Sequence, residues 1–204
     1  MTDLDSLKHA PAETAIHDLL AARWSPRAFS DKPVASADLE KIFTAASWAA
    51  SSTNEQPWRF LVGRNGDATF TRIFETLVEP NQLWTKHVPV LALSVAKSTF
   101  SPGPYGGGVN RFALHDTGAA SANLSLQATA LGLHTHGMGG FDAEKARAAF
   151  NIPPEFEIGA VWAIGYLGDP EALPERLKQR ELAPRTRNPL SSFVFSDWDT
   201  PAQL

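Results

Sequence analysis

The apolar positions of the chain fall into two alternating patterns. Some stretches repeat every three to four residues, and others are apolar almost without a break. The first pattern predicts helices and the second predicts buried strands. Ile16, Leu19 and Leu20 predict a helix over 13–23. Pro26 ends it, because a proline ring pushes the preceding residue, Ser25, out of helical geometry. Ser36 is placed to cap a second helix carrying Leu39, Ile42, Phe43 and Ala46, with Asp38 and Glu40 near its positive end. "WRFLVG" (58–63) predicts a strand, and Phe70, Ile73, Phe74 and Leu77 predict a helix over 68–79. "PVLALSVAK" (89–97) predicts a buried strand. "STFSPGPYGGGVN" (98–110) is a loop by its prolines and glycines, and Phe100 and Tyr105 make it a candidate lid. Residues 111–131 predict a helix rich in small side chains, which let a second helix approach closely. "LHTHGM" predicts a short strand, Asp142 a cap for a helix ending at Phe150, and "EIGAVWAIGYLG" (157–168) the last long strand. The alternating "SSFVFSDW" predicts a piece that adds to a sheet edge.

No repeat, heptad array or linker interrupts this order, so a single domain over 1–204 is expected, with helices on both sides of a sheet. Hydrophobic residues make up 43% and charged residues 20%, as in an ordinary globular protein. The net charge of -4 lacks the basic excess of a nucleic-acid binder. The absence of cysteine excludes disulfides, thiolate metal sites and thiol nucleophiles. No apolar run reaches the ~18 residues needed to span a bilayer, and the N-terminus lacks the apolar core of a signal peptide. A soluble cytoplasmic protein with no membrane partner is the expectation.

Several segments carry candidate chemistry. "HDTGAAS" (115–121) contains the Asp-Thr-Gly-Ala of an aspartic protease, but its surroundings form a helix, whereas that protease turn lies between strands. His134 and His136 would face one side of a strand. They suit either a metal or a pair of hydrogen-bonded histidines, and no nearby Asp, Glu or Cys completes a metal site. "GPYGGG" lacks the Gly-Lys-Ser/Thr ending of a phosphate loop, and there is no Gly-x-Ser-x-Gly elbow. Arg23 and Arg27 sit four apart across a Ser-Pro kink, and Arg185 and Arg187 share one side of a proline-flanked segment. Each pair reads as solvated cations or as an anion site, and in an acidic protein a fixed arginine pair suits a phosphate.

Taken together and in order, "RWSPRAF" (23–29), "SSTNEQPWRF" (51–60), "NQLW" (81–84), "GMGGFD" (137–142) and "PRTR" (184–187) resemble the nitroreductase family of flavin enzymes, over about residues 13 to 195. The resemblance implies an α+β three-layer sandwich, a central mostly antiparallel sheet flanked by helices, in an intertwined homodimer with FMN at the subunit interface. It implies that Arg23, Arg185 and Arg187 hold the FMN phosphate, and that Ser25 bonds near the ribityl chain or ring. Arg27 would sit by N1 and the C2 carbonyl. Asn81 would read the pyrimidine edge, and Gly139 and Gly140 would present backbone near N5. Trp24 is counted with the cofactor-binding residues, while Ser51, Ser52 and Asn54 would reach the flavin from the other subunit. No protein nucleophile and no metal are required, since the flavin is the redox centre. The activity implied is ping-pong transfer from NAD(P)H to a nitroaromatic, quinone or similar small acceptor. A specialised enal, enone or semialdehyde reductase and a flavin store are the alternatives. Ala50, Trp84 and Gly139 depart from the family pattern, which in some members has Pro, Lys and an acidic residue there.

Overall fold

The computed structural model describes residues 3–11, 13–103 and 107–204; Tyr105 of the candidate lid lies outside them. Its centre is β2 (Val90–Lys97), and every residue from Val90 to Ala96 is buried. A strand with no polar face needs cover on both sides. Leu91, Leu93 and Val95 point into one core, and Val90 and Ala92 into the other. β1 (Trp58–Arg64), β3 (His134–Met138) and β4 (Phe156–Gly165) complete a four-stranded sheet in the order β1-β2-β4-β3, with all three pairings antiparallel.

One face is covered by α3 (Ser36–Ser47) and α6 (Ala113–Ala130), through Leu39, Ile42, Ala120, Leu124 and Ala128. The other is covered by α4 (Ala68–Phe74), α5 (Glu79–Thr85) and α7 (Ala143–Phe150), through Phe70, Ile73, Trp84 and Ala146. This is the expected α+β sandwich with its central antiparallel sheet. The chain begins with α1 (Asp3–Lys8) and α2 (Asp18–Ala22), and α8 (Glu175–Leu182) follows β4. No helix among the described residues is long and apolar enough to cross a membrane.

Four local expectations are corrected. The helix expected over 13–23 shrinks to α2, capped by His17, whose Nδ1 accepts from Leu19 N. Ile16 and Leu20 stay 47% and 50% exposed, so the apolar spacing found nothing in this chain to pack on. Ser36 does not cap α3: Ala35 holds that position, and Ser36 Oγ accepts from Arg64 Nη2 at 3.0 Å. The helix expected over 68–79 breaks after Phe74. A continuous helix would place Pro80 in its interior, where it removes a hydrogen bond. A second helix starts instead with Pro80 in its first turn. The freed backbone of 76–78 pairs with 140–142, through Val78 N to Gly140 O (3.1 Å) and Asp142 N to Thr76 O (2.8 Å). Finally, the C-terminal alternation forms β5 (Phe195–Asp197), which pairs only with β6 (Thr200–Pro201) in a separate hairpin. Asp142 does cap α7, accepting from Lys145 N at 2.9 Å.

Gly63 of β1 lets α4 lie directly on the strand. A Cβ there would stand 2.1 Å from Phe70 N and 2.5 Å from Phe70 Cα, both backbone atoms. Gly63→Ala is expected to lower stability by about 1–3 kcal/mol, the usual cost of overpacking. Urea unfolding checks this: the midpoint falls with the slope unchanged.

Candidate functional site

The segment from Arg23 to Ser30 leaves α2 and runs along the end of β4 without joining the sheet, so its backbone groups need other partners. Gly168 N donates to Ala28 O (2.8 Å), and Ser30 N to Tyr166 O (3.0 Å). Glu181 of α8 accepts from Arg27 N at 2.7 Å and from Ala28 N at 2.9 Å, both on Oε1. On the other side, His136 Nδ1 lies 2.7 Å from Pro26 O. Held in this way, the segment presents the exposed Ser25, with Arg23 Nη1 donating to its Oγ at 3.2 Å, and the half-buried Arg27. Trp24 points the other way. Its indole is buried, donates to Asp5 Oδ1 (3.1 Å) and meets the His134 ring edge-on.

Arg23, Arg185 and Arg187 converge. Burial and then Arg187 lower the Arg23 pKa, and burial, Arg187 and Arg23 lower that of Arg185. Among the described residues no carboxylate forms an ion pair with any of the three. Arg185 donates to the carbonyls of Ala21 and Arg23, so it closes the C-terminal end of α2 and adds charge from behind. Arg187 is exposed, bonded only to Thr186 O (2.7 Å), and lines with Arg185 a cleft of about 300 Å³. Three like charges without an acidic partner form a ready site for an anion.

Asn81 and Gly140 are also brought together. Asn81 Nδ2 donates to Gly140 O at 2.9 Å, and a Cβ on Gly140 would lie 2.7 Å from that nitrogen. Gly139 is exposed beside it, with open space where a Cβ would stand. Trp84 knits α5 to the arginine loop: it is buried, stacks on Phe29 at 6.1 Å and touches the His136 ring at 4.8 Å. An indole thus serves as packing where some members of the pattern place a lysine.

Ser51, Ser52 and Asn54 are elsewhere. Their turn enters β1 next to Lys97, the last residue of β2, since Lys97 N donates to Pro57 O (2.9 Å). The arginine loop adjoins Gly165 to Gly168, next to Val90 at the other end of β2. Eight residues of strand at about 3.3 Å each separate the two groups by ~25 Å. The turn is strained, with φ of 52°, 57° and 50° at Thr53, Asn54 and Gln56. It is held by Asp116 Oδ2, which accepts from Ser52 N (2.9 Å), and by Ser51 Oγ, which accepts from Gln56 N (3.0 Å). Glu55 Oε1 accepts from Ser101 N and Oγ, tying the base of the 98–110 loop to this turn.

Sequence reasoning missed Glu181, Asp116 and the clamping role of His136. Glu181 lies in a charged helix of ordinary appearance, and Asp116 was weighed only within the protease-like tetrapeptide. Of the two histidines that the sequence offers as a hydrogen-bonded pair, His136 bonds Pro26 O, whereas His134 Nε2 lies 3.5 Å from Asp5 Oδ1 and its buried Nδ1 has no partner among the described residues. Among the described residues no group of three or more ligating side chains could hold a metal.

The sequence model of the Nitroreductase family matches residues 20–82 and 67–166, more than half of the chain. The chain therefore belongs to the nitroreductase family. A solved structure described as an oxidoreductase containing FMN is 35% identical with a TM-score of 0.86, covering 96% of this chain and 97% of that one. A protein of Archaeoglobus fulgidus named "Putative NADH dehydrogenase/NAD(P)H nitroreductase" is 29% identical over 155 residues, 74% of this chain and 84% of the relative. An uncharacterized 15.4 kDa protein of Mycolicibacterium smegmatis is 34% identical over 152 residues, 70% of this chain and 99% of the relative.

Burial pushes the His136 pKa down to about 4, the Pro26 carbonyl opposing and Arg27 assisting. The folded protein keeps this imidazole neutral while an unfolded chain protonates it near pH 6.5. The unfolded state thus binds the extra proton as pH falls from 6.5 toward 4, and stability is lost across that window. His136→Asn is expected to flatten this loss by about 2 kcal/mol at pH 4.5, read from Tm measured against pH.

Proposed function

We propose that the protein is a homodimeric, FMN-dependent NAD(P)H oxidoreductase that reduces nitroaromatics, quinones or similar flat acceptors in ping-pong fashion. The observation that carries this reading is the arginine cluster, three guanidinium groups with no carboxylate partner, beside an open polar edge. The residues present fit FMN. Arg23 and Arg187 offer donors for a phosphate, and Arg185 adds charge while fixing Arg23. Ser25 is exposed and bonded to Arg23, so its hydroxyl lies at the same surface. Arg27 supplies a cation where negative charge gathers in reduced flavin. Gly139 has open space where a Cβ would stand, room for a ring edge, and Gly140 beside it is held close to Asn81. When bound, FMN supplies the redox chemistry, taking two electrons and a proton equivalent from NAD(P)H and passing them to the acceptor.

The ~25 Å between the arginine loop and the Ser51–Asn54 turn supports a site shared by two chains. A second copy would bring its turn to the first chain's arginines. Exposed Trp48, Phe112, Phe193 and Trp198 offer apolar surface for that contact. Ser101, bonded to Glu55 next to the turn, ties the start of the 98–110 loop to a shared site that the loop would cover as a lid.

The apoprotein is expected to take up FMN in preference to FAD, and NADPH or NADH to bleach the yellow complex without air. A colourless protein that takes up no FMN overturns the reading, and a complex that no nicotinamide reduces leaves a flavin store. Arg187→Ala is expected to weaken FMN binding by roughly one to two decades, the loss of one charge-assisted contact worth ~1.5–3 kcal/mol. Arg187→Lys should recover only part of it, because an ammonium lacks the planar fork. Fluorescence titration of the apoprotein measures both.

Refolding together an Arg23→Glu/Arg187→Glu chain and a Ser52→Trp/Asn54→Trp chain tests the shared site. One site of each heterodimer then collects every defect and the other none, so up to half the wild-type activity should return from two dead parents. Heterodimers proven by mass that stay inactive, while wild-type controls refold, would show that each chain builds its own site.

A further inference from the structure

We propose that Glu181 is a positioning residue for the cofactor site, fixing the backbone from which Arg27 reaches the cofactor. The inference rests on the FMN reading above and adds a residue that no motif contains. Glu181 is 1% exposed, in the last turn of α8, far along the chain from the loop it serves. A single oxygen, Oε1, takes two consecutive N–H groups, Arg27 N at 2.7 Å and Ala28 N at 2.9 Å. Those groups belong to no helix or sheet ladder, and buried amides left without an acceptor would turn toward one elsewhere. With Pro26 O bonded to His136 and Ala28 O to Gly168 N, the peptide units from Pro26 to Ala28 are gripped on both sides.

The surroundings explain why a carboxylate stands here. Lys8 is buried beside it, donating to the carbonyls of Arg180 in α8 and of Ala183 just past its end. Glu181 is the acidic neighbour of both Lys8 and Arg27. Burying an acid requires such compensation. Glu181 thus lets a loop crowded with cations settle in one conformation without placing an acid in the phosphate site, since its oxygen is spent on backbone. A second reading is that only its charge matters, by offsetting nearby arginines.

Two substitutions separate position from charge. Glu181→Gln keeps an oxygen at the same reach and loses the charge, while Glu181→Asp keeps the charge and draws the oxygen back by one methylene. Each apoprotein is first shown to be folded by circular dichroism and thermal melting, then titrated with FMN well below its Tm. The Gln variant should bind FMN within about threefold of wild type, and the Asp variant at least tenfold more weakly. Amide hydrogen exchange of Arg27 and Ala28 in the same apoproteins should be near wild type for Gln and at least tenfold faster for Asp. The reverse order, or folded variants with unchanged affinity and exchange, would overturn the proposal. The exchange measurement involves no cofactor. A wild-type protein that binds no FMN would therefore sink the functional reading while exchange still decides whether Glu181 holds the loop.

Discussion

The rest of the structure depends on the burial of β2 on both faces. A strand with no polar side must be hydrogen-bonded along both edges and covered above and below. β1 and β4 supply the edges, α3 and α6 one cover, and α4, α5 and α7 the other. The polar equipment is thereby expelled to the two ends of the strand. The arginine loop lies at the end where β2 begins, and the Ser51–Asn54 turn at the end where it finishes. The length of a strand cannot be compressed, so one chain holds the two groups apart. The proposed two-chain site follows from that constraint.

Electrostatics shapes the first group. Three guanidinium groups converge without an acid among them, and their mutual repulsion adds to the effect of burial. A folded chain tolerates this where the backbone is held rigidly and a ligand can offset the charge. Arg185 shows how the rigidity arises: it bonds the carbonyls at the end of α2, so one member of the cluster anchors another. Packing does the rest, with Trp84 between Phe29 and His136 joining the loop to α5.

The two polar groups share a device. In each, a buried carboxylate from a distant helix accepts backbone N–H groups of an irregular segment: Glu181 for Arg27 and Ala28, Asp116 for Ser52. Irregular backbone is costly to bury without partners, and an acid satisfies it without closing the segment into a helix or strand. The left-handed residues at 53, 54 and 56 persist because Asp116 and Ser51 hold them from two sides.

By itself the sequence determined the strands and the longer helices. Their apolar periods were strong enough to place β1 and β2 to within a residue and β4 to within three, and Asp142 marked the start of α7. The ordered motifs that resemble the nitroreductase family also singled out Arg23, Arg185 and Arg187, which converge in the structure, and Asn81 and Gly140, which meet each other. Only the tertiary structure decided where weak local signals led. Ile16 and Leu20 found no surface in the chain to cover them, and the helix before Arg23 shrank to α2. Ser36 gave its oxygen to Arg64, a partner 28 residues away. Residues 76–78 left the helical pattern to pair with 140–142, which brought Asn81 to Gly140. Glu181 and Asp116 were illegible for the same reason. A carboxylate acquires a structural role from the backbone amides it meets, and those lie 153 and 64 residues away. Periodicity records which side of an element is buried; it carries no information about which distant loop will need an acceptor.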